Sequence, residues 1–145
     1  MSRIQRIKKG ADIRLEGRPA ETVIVAPSAS LYAVKPPDFT GLVVKLTVRS
    51  GDKVKAGSTI FYDKKTPSVK YSSPVAGTIK EIVRGAKRRI LAIEIESLSE
   101  NSYCDFGVLD VSKSDREQIL ARILESGMFS FFRQRPFDVV ANPND

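Results

Sequence analysis

VRSGDKVKAGSTIFYDKKTPSVKYSSPVAGTI, residues Val48 to Ile79, is the stretch whose reading decides the fold. Its skeleton is Gly51-Asp52-x-Val54-x-x-Gly57, an apolar run ending at Phe61, a polar tip, then Ser73-Pro74-x-x-Gly77-x-Ile79. Gly51-Asp52 suits a tight turn, because glycine tolerates a positive φ and an aspartate can hydrogen-bond its own backbone. Gly57 permits a second sharp turn, and Pro74 fits a strand edge or corner. Gly77 opens a new strand at a point where a Cβ would crowd its neighbour. These five positions specify a small β-sandwich of short, sharply turned strands.

The skeleton resembles that of the biotinyl/lipoyl swinging-arm domains, the barrel-sandwich hybrids. Those carriers present a modifiable lysine at a hairpin tip between the two halves of the pattern. The corresponding tip here is Asp63-Lys64-Lys65-Thr66-Pro67, and counting back from Pro74 puts the arm position near Thr66. The Met-Lys-Met of biotin carriers is absent, so the resemblance implies the fold without the modification. A lipoyl or biotin carrier module stays as the alternative, and an intact mass separates the two.

Outward from this stretch, Leu42 to Val48 alternates, with Leu42, Val44, Leu46 and Val48 on one face and Lys45 and Thr47 on the other. That is the period of a half-buried strand. Leu31 to Val34 predicts another strand, closed by Pro36-Pro37, and Thr22 to Ala26 is a β-branched run stopped by Pro27. Ile4 to Lys9 and the segment with Ile13 and Leu15 between Gly10 and Gly17 predict weaker edge strands. Thr78–Val83 and Arg88–Glu96 predict a hairpin joined through Arg84-Gly85-Ala86-Lys87, with Leu91, Ile93 and Ile95 facing one way and Glu94 and Glu96 the other. Leu98 to Ser102 predicts a loop, and the lone Cys104 a small buried hydrophobe.

The pattern changes at Ser112. Ser114-Asp115-Arg116-Glu117 has the form of a capping box with Ser114 as the cap. Ile119, Leu120, Ile123 and Leu124 follow at helical spacing, and Gly127 supplies a stop, so a helix is expected over Asp115–Ser126. The run Met128-Phe129-Ser130-Phe131-Phe132 is too apolar for a free tail. The fold class is therefore mainly β: a barrel-sandwich hybrid over residues 1–111, then over 112–145 one α-helix and a tail that begin a second, truncated α/β domain.

Composition narrows the chemistry. With 145 residues, 41% of them hydrophobic, the chain can build a core. It has no histidine and one cysteine, which removes Ser-His-Asp and Cys-His systems and the usual ligands of zinc, haem and iron–sulfur clusters. No phosphate-cradling glycine motif is present. No apolar run approaches the roughly 18 residues that span a bilayer, and the basic N-terminus is followed by no apolar signal core. Catalytic, cofactor-binding and metal-ligating residues are accordingly expected to be none.

The net charge is +7, concentrated at Arg3, Arg6, Lys8 and Lys9 and again at Arg84, Lys87, Arg88 and Arg89. Neither cluster interleaves aromatics as single-strand binders do, so nucleic acid is not expected as a partner. Arg84, Lys87 and Arg88 are candidate docking residues for an acidic partner or lipid headgroups. Pairing of Arg84 or Arg88 with Glu94 or Glu96 inside the hairpin is the alternative.

Taken in order, these motifs resemble the A subunits of the bacterial sodium-translocating NADH:quinone oxidoreductases, over their N-terminal part. The matching residues are Ile7-Lys8-Lys9-Gly10-x-Asp12, the Gly51 turn, Asp63-Lys64-Lys65-Thr66-Pro67-x-Val69-Lys70 and Ser73-Pro74-x-x-Gly77. They continue through Arg84-Gly85-x-Lys87-Arg88, Leu124-Glu125-Ser126-Gly127 and Arg133-x-Arg135-Pro136-Phe137. The resemblance implies a peripheral protein on the cytoplasmic face of the inner membrane, docked chiefly on the membrane-embedded B subunit. Membrane contact would then run through partners, with quinone as a further candidate contact. The complex would use NADH, flavins, an iron–sulfur centre, quinone and Na+, with no cofactor in this chain. The C subunit of the related ferredoxin-dependent electron-transport complex shares this type of domain and is the second alternative.

Overall fold

The computed structural model describes residues 16–17, 19–98, 100 and 102–144. The strand expectations at Ile4–Lys9 and around Ile13 and Leu15, and the first basic cluster, lie outside the described residues.

Among the described residues seven strands form the sandwich: β1 (Leu31–Val34), β2 (Val44–Leu46), β3 (Lys53–Val54), β4 (Thr59–Asp63), β5 (Lys70–Ser72), β6 (Gly77–Arg84) and β7 (Ile90–Ser97). They make two antiparallel sheets, ordered β1-β7-β6-β3 and β2-β4-β5. Their facing sides bury Ile60, Phe61, Ile79, Ile93 and Ile95 completely. A bulge between Thr59 and Phe61 lets β4 put two consecutive side chains into that core, where strict alternation would hide only one. Val54, Val69 and Tyr71 complete it.

The alternation of Leu42 to Val48 is present, with Leu42, Val44, Leu46 and Val48 half-buried and Lys45 and Thr47 exposed. Regular pairing, however, covers only Val44–Leu46 against Asp63–Phe61. Two expectations fail. Thr22–Ala26 is not a strand; Val23, Ile24 and Val25 are 97%, 85% and 91% exposed, and none of them pairs with a neighbouring edge among the described residues. Propensity without a partner edge does not make a strand. Leu91 does not share the buried face of Ile93 and Ile95. A register shift between Val83 and Arg84 turns it onto Gly85 and leaves it 40% exposed.

Beyond β7 the chain returns to the sandwich. Cys104 N–H donates to the Ala56 carbonyl (2.8 Å), and the Ser102 carbonyl accepts from Ala56 N–H (2.8 Å). Cys104 itself is only half-buried, less hidden than a core residue. Helix α1 then spans Arg116–Glu125. Its cap is Asp115, one residue later than expected. The Asp115 carboxylate accepts from Gln118 N–H (2.8 Å), and the Gln118 side chain accepts from Asp115 N–H (3.2 Å). Ser114 is diverted, its hydroxyl donating to the Asp110 carbonyl (2.7 Å). The turn Met128–Phe131 follows, then a hairpin of β8 (Arg133–Gln134) and β9 (Val139–Val140) with a cis Arg135–Pro136 bond. Phe129 belongs to the sandwich core, with Leu120, Ile123, Leu124 and Val140 packed against it.

Candidate docking surfaces

The turns around the sandwich are held mainly by backbone. At Gly51 (φ 91) the Asp52 carboxylate accepts from Arg49 N–H at 2.7 Å, and Gly51 N–H donates to the Ile79 carbonyl at 2.7 Å. Gly57 N–H donates to the Ser73 carbonyl (2.8 Å), and Ser73 N–H donates to the Ser58 carbonyl (2.8 Å), which ties the second turn to the corner at Pro74. A Cβ on Gly77 would collide with the Glu96 carbonyl across the β6–β7 pair. These contacts involve Gly51, Asp52, Gly57, the corner at Pro74 and Gly77, and hold the turns of the sandwich.

The tip between β4 and β5 is also fixed. Asp63 accepts from Val43 N–H (3.2 Å) and Lys65 N–H (3.0 Å), and Lys65 Nζ donates to the Gly41 carbonyl (3.1 Å). Lys64 is exposed.

Arg84, Lys87 and Arg88 meet at the far end of the β6–β7 hairpin, all exposed. The connection is Gly85–Arg89, one to two residues later than expected, with Gly85 N–H donating to the Arg89 carbonyl (2.8 Å). Arg89 N–H donates to the Ala86 carbonyl (3.2 Å), so Lys87 (φ 54, ψ 30) and Arg88 (φ 61) are the two central residues of a left-handed turn. Asn-Gly is the usual pair there, and side chains with a Cβ cost about 1 kcal/mol each in this conformation. Glu94 sits opposite Ala33 and Glu81, and Glu96 opposite Leu31 and Thr78, so neither reaches the cations at the tip. The intrahairpin pairing weighed from sequence is absent among the described residues. Two basic residues outside the sequence-derived docking set join these cations. Arg89 lines one cleft beside the turn with Arg88, and Arg49 lines another with Arg84. The run Lys87-Arg88-Arg89 signalled the first; only the tertiary approach of residues 46–50 to Ile82 and Arg84 brings in Arg49.

The second surface is apolar. A cleft of about 550 Å3 runs between the Gly57–Pro74 corner and the Met128–Phe131 turn, walled by Tyr103, Phe106, Met128 and Phe131. Its serine hydroxyls are engaged: among them Ser72 donates to the Ser126 carbonyl (3.0 Å) and Ser130 to the Gly127 carbonyl (2.9 Å). Cys104 Sγ lies 3.4 Å from the Ser58 hydroxyl there. Of these walls Phe131 is 71% and Met128 about half exposed, and farther along the same segment Phe132 is about half and Phe137 70% exposed. A column of Arg133 over Phe39 (4.7 Å), Phe39 edge-on to Tyr71 (4.6 Å) and Tyr71 stacked on Phe61 (4.6 Å) joins this tail to the core. Burial pushes the Tyr71 phenol up to about 12; Asp63 adds to the rise and Arg133 opposes it.

Among the described residues no helix is long and apolar enough to cross a membrane, and no group of three or more His, Cys, Asp or Glu could hold a metal ion.

A family model described as the NqrA N-terminal barrel-sandwich hybrid domain matches residues 5–98. The chain is 36% identical over 137 residues to the A subunit of the Na(+)-translocating NADH-quinone reductase of Marinomonas sp. (strain MWYL1), covering 93% of this chain and 31% of that protein. It is 37% identical over 137 residues to the same protein of Shewanella amazonensis, covering 92% and 31%. To that of Rhodopirellula baltica it is 35% identical over 143 residues, covering 94% and 31%. The chain thus spans under a third of the length of these curated relatives.

Proposed function

Because the chain belongs to the family of NqrA N-terminal barrel-sandwich hybrid domains, found in the A subunits of Na(+)-translocating NADH-quinone reductases, we propose that it is a docking part of such a complex. In this reading it is a peripheral, cofactor-free piece of a membrane assembly that couples NADH oxidation and quinone reduction to sodium export. It sits on the cytoplasmic face of the inner membrane, chiefly against the membrane-embedded B subunit. The chemistry belongs to cofactors carried elsewhere: this chain binds and orients, and supplies no catalytic residue.

The observation that carries the proposal is the exposed strip of Met128, Phe131, Phe132 and Phe137. An apolar surface of this kind, gathered on one short segment, marks a contact with another polypeptide. In this reading residues 112–145, although they lay Phe129 into the sandwich core, are also the opening of a second domain. The cleft walled by Tyr103, Phe106 and Phe131 is where a share in quinone contact would fall, since its lining is largely apolar and its serine hydroxyls are already engaged.

The test is mass spectrometry of the tagged protein purified from detergent-solubilised membranes of its source. Recovery with membrane-embedded and flavin-bearing partners, this chain at its unmodified mass, is the expected result. Recovery alone, or with the added mass of lipoate or biotin, overturns the proposal.

A further inference from the structure

We propose that the far end of the β6–β7 hairpin binds the phosphate groups of an anionic lipid surface, through Lys87, Arg88 and Arg89 at the turn and Arg49 and Arg84 beside it. The proposal goes beyond the docking reading and rests on it only for bringing the chain to a membrane.

Three observations carry it. First, the five cations are exposed, and none makes an ion pair among the described residues. The clefts that flank the turn, about 530 and 540 Å3, are lined by Arg88 with Arg89 and by Arg49 with Arg84, and no acidic side chain lines either. The Asp52 carboxylate accepts from the Arg49 backbone N–H, and Glu81 and Glu94 pair with each other in register farther down the hairpin. A guanidinium pair of this kind suits phosphate oxygens.

Second, the backbone of the turn works against its own sequence. Lys87 and Arg88 both adopt positive φ, where Asn-Gly would fold without strain. Retaining two long cations in a conformation that disfavours them points to a use for their charge, since unfavourable backbone held in place by its surroundings gathers at ligand contacts.

Third, this end exposes charge and little apolar surface: Pro36, Phe39, Leu42, Val44 and Ile90, which wall the cleft of Arg88 and Arg89, are buried or half-buried. Protein interfaces place an apolar, charge-depleted core inside a polar rim. Here the exposed large apolar side chains near the cations are Leu91 and Val43, each only 40% exposed. The surface with an interface core is the phenylalanine strip. A lipid headgroup layer asks for no shape match and draws each nearby lysine or arginine by about 1 kcal/mol, roughly fivefold in affinity per charge.

The experiment is co-sedimentation of the purified chain with vesicles of phosphatidylglycerol in phosphatidylcholine and of phosphatidylcholine alone. Binding to the anionic vesicles only, lost at 1 M salt, is expected. The variant Lys87→Asn/Arg88→Gly gives the turn the residues it prefers, so it folds at least as stably while binding falls on the order of 30-fold. Arg49→Gln/Arg84→Gln should lower it by a similar factor. Equal binding to both vesicle types, or undiminished binding by the Asn-Gly variant, overturns the proposal. So does competition by millimolar inorganic phosphate, which would make the ligand a free anion. A charge-reversed tip that still binds vesicles but no longer co-purifies with the rest of the complex would assign the surface to an acidic protein instead. Loss of vesicle binding with co-purification intact leaves the docking reading standing, so the two fail separately.

Discussion

At the scale of single residues, Gly77 shows how a sequence position becomes a structural constraint. Its missing side chain is the space taken by the Glu96 carbonyl, and the collision would be with backbone that cannot swing away. Gly77→Ala is expected to destabilise the fold by about 3 kcal/mol, measured as a lowered urea midpoint with an unchanged slope. A loss below about 0.5 kcal/mol would mean the two strands separate at little cost. This constraint was legible because glycine spacing around Pro74 reports close approach directly. The left-handed Lys87-Arg88 pair was not legible: nothing in a Lys-Arg dipeptide announces a positive φ, and only the register of β6 on β7 imposes it. Arg49 was missed because its cleft with Arg84 forms by the tertiary approach of residues 46–50 rather than along the chain.

At the scale of elements, the start of α1 illustrates two overlapping signals. Ser114-x-x-Glu117 and Asp115-x-x-Gln118 both fit a capping box, and the helix takes the second, with Ser114 Oγ turned to donate to the Asp110 carbonyl. Asp115→Ala should therefore cost about 1 kcal/mol, while Ser114→Ala should cost less than about 0.5 kcal/mol. Thermal unfolding of the two variants checks the order, and a larger loss at Ser114 would reverse the assignment. The existence of the helix was legible from its 3.6-residue period, its first residue only to within one position. Thr22–Ala26 failed in the other direction, because β-branched composition states a preference and a strand also needs an edge to pair with. The helix–core contact was legible only as an apolar face; that Phe129 would enter the same core as Ile60 and Ile93 required the tertiary structure.

At the scale of the whole molecule, the barrel-sandwich fold followed from a handful of turn residues, whereas the surfaces that serve function arise where distant segments meet. The cleft joins Pro74, Tyr103 and Phe131, three parts of the chain with no common motif. The strip along it predicts that the isolated chain self-associates. Phe131→Ser/Phe137→Ser should reduce that association with little loss of stability, since the two rings are 71% and 70% exposed. Sedimentation velocity over a concentration series reads the effect, and a wild-type chain that stays monomeric throughout removes the premise. The sheet order carries one more consequence. Strand β1 pairs with β7, Leu31 opposite Glu96, and Thr40 bridges to Val139. During synthesis at roughly 5–20 residues per second, the β4–β5 and β6–β7 hairpins can close almost as soon as they leave the ribosome, whereas β1 waits several seconds for its neighbour to be made. The first of the described strands is thus paired only once the last strand of the sandwich exists.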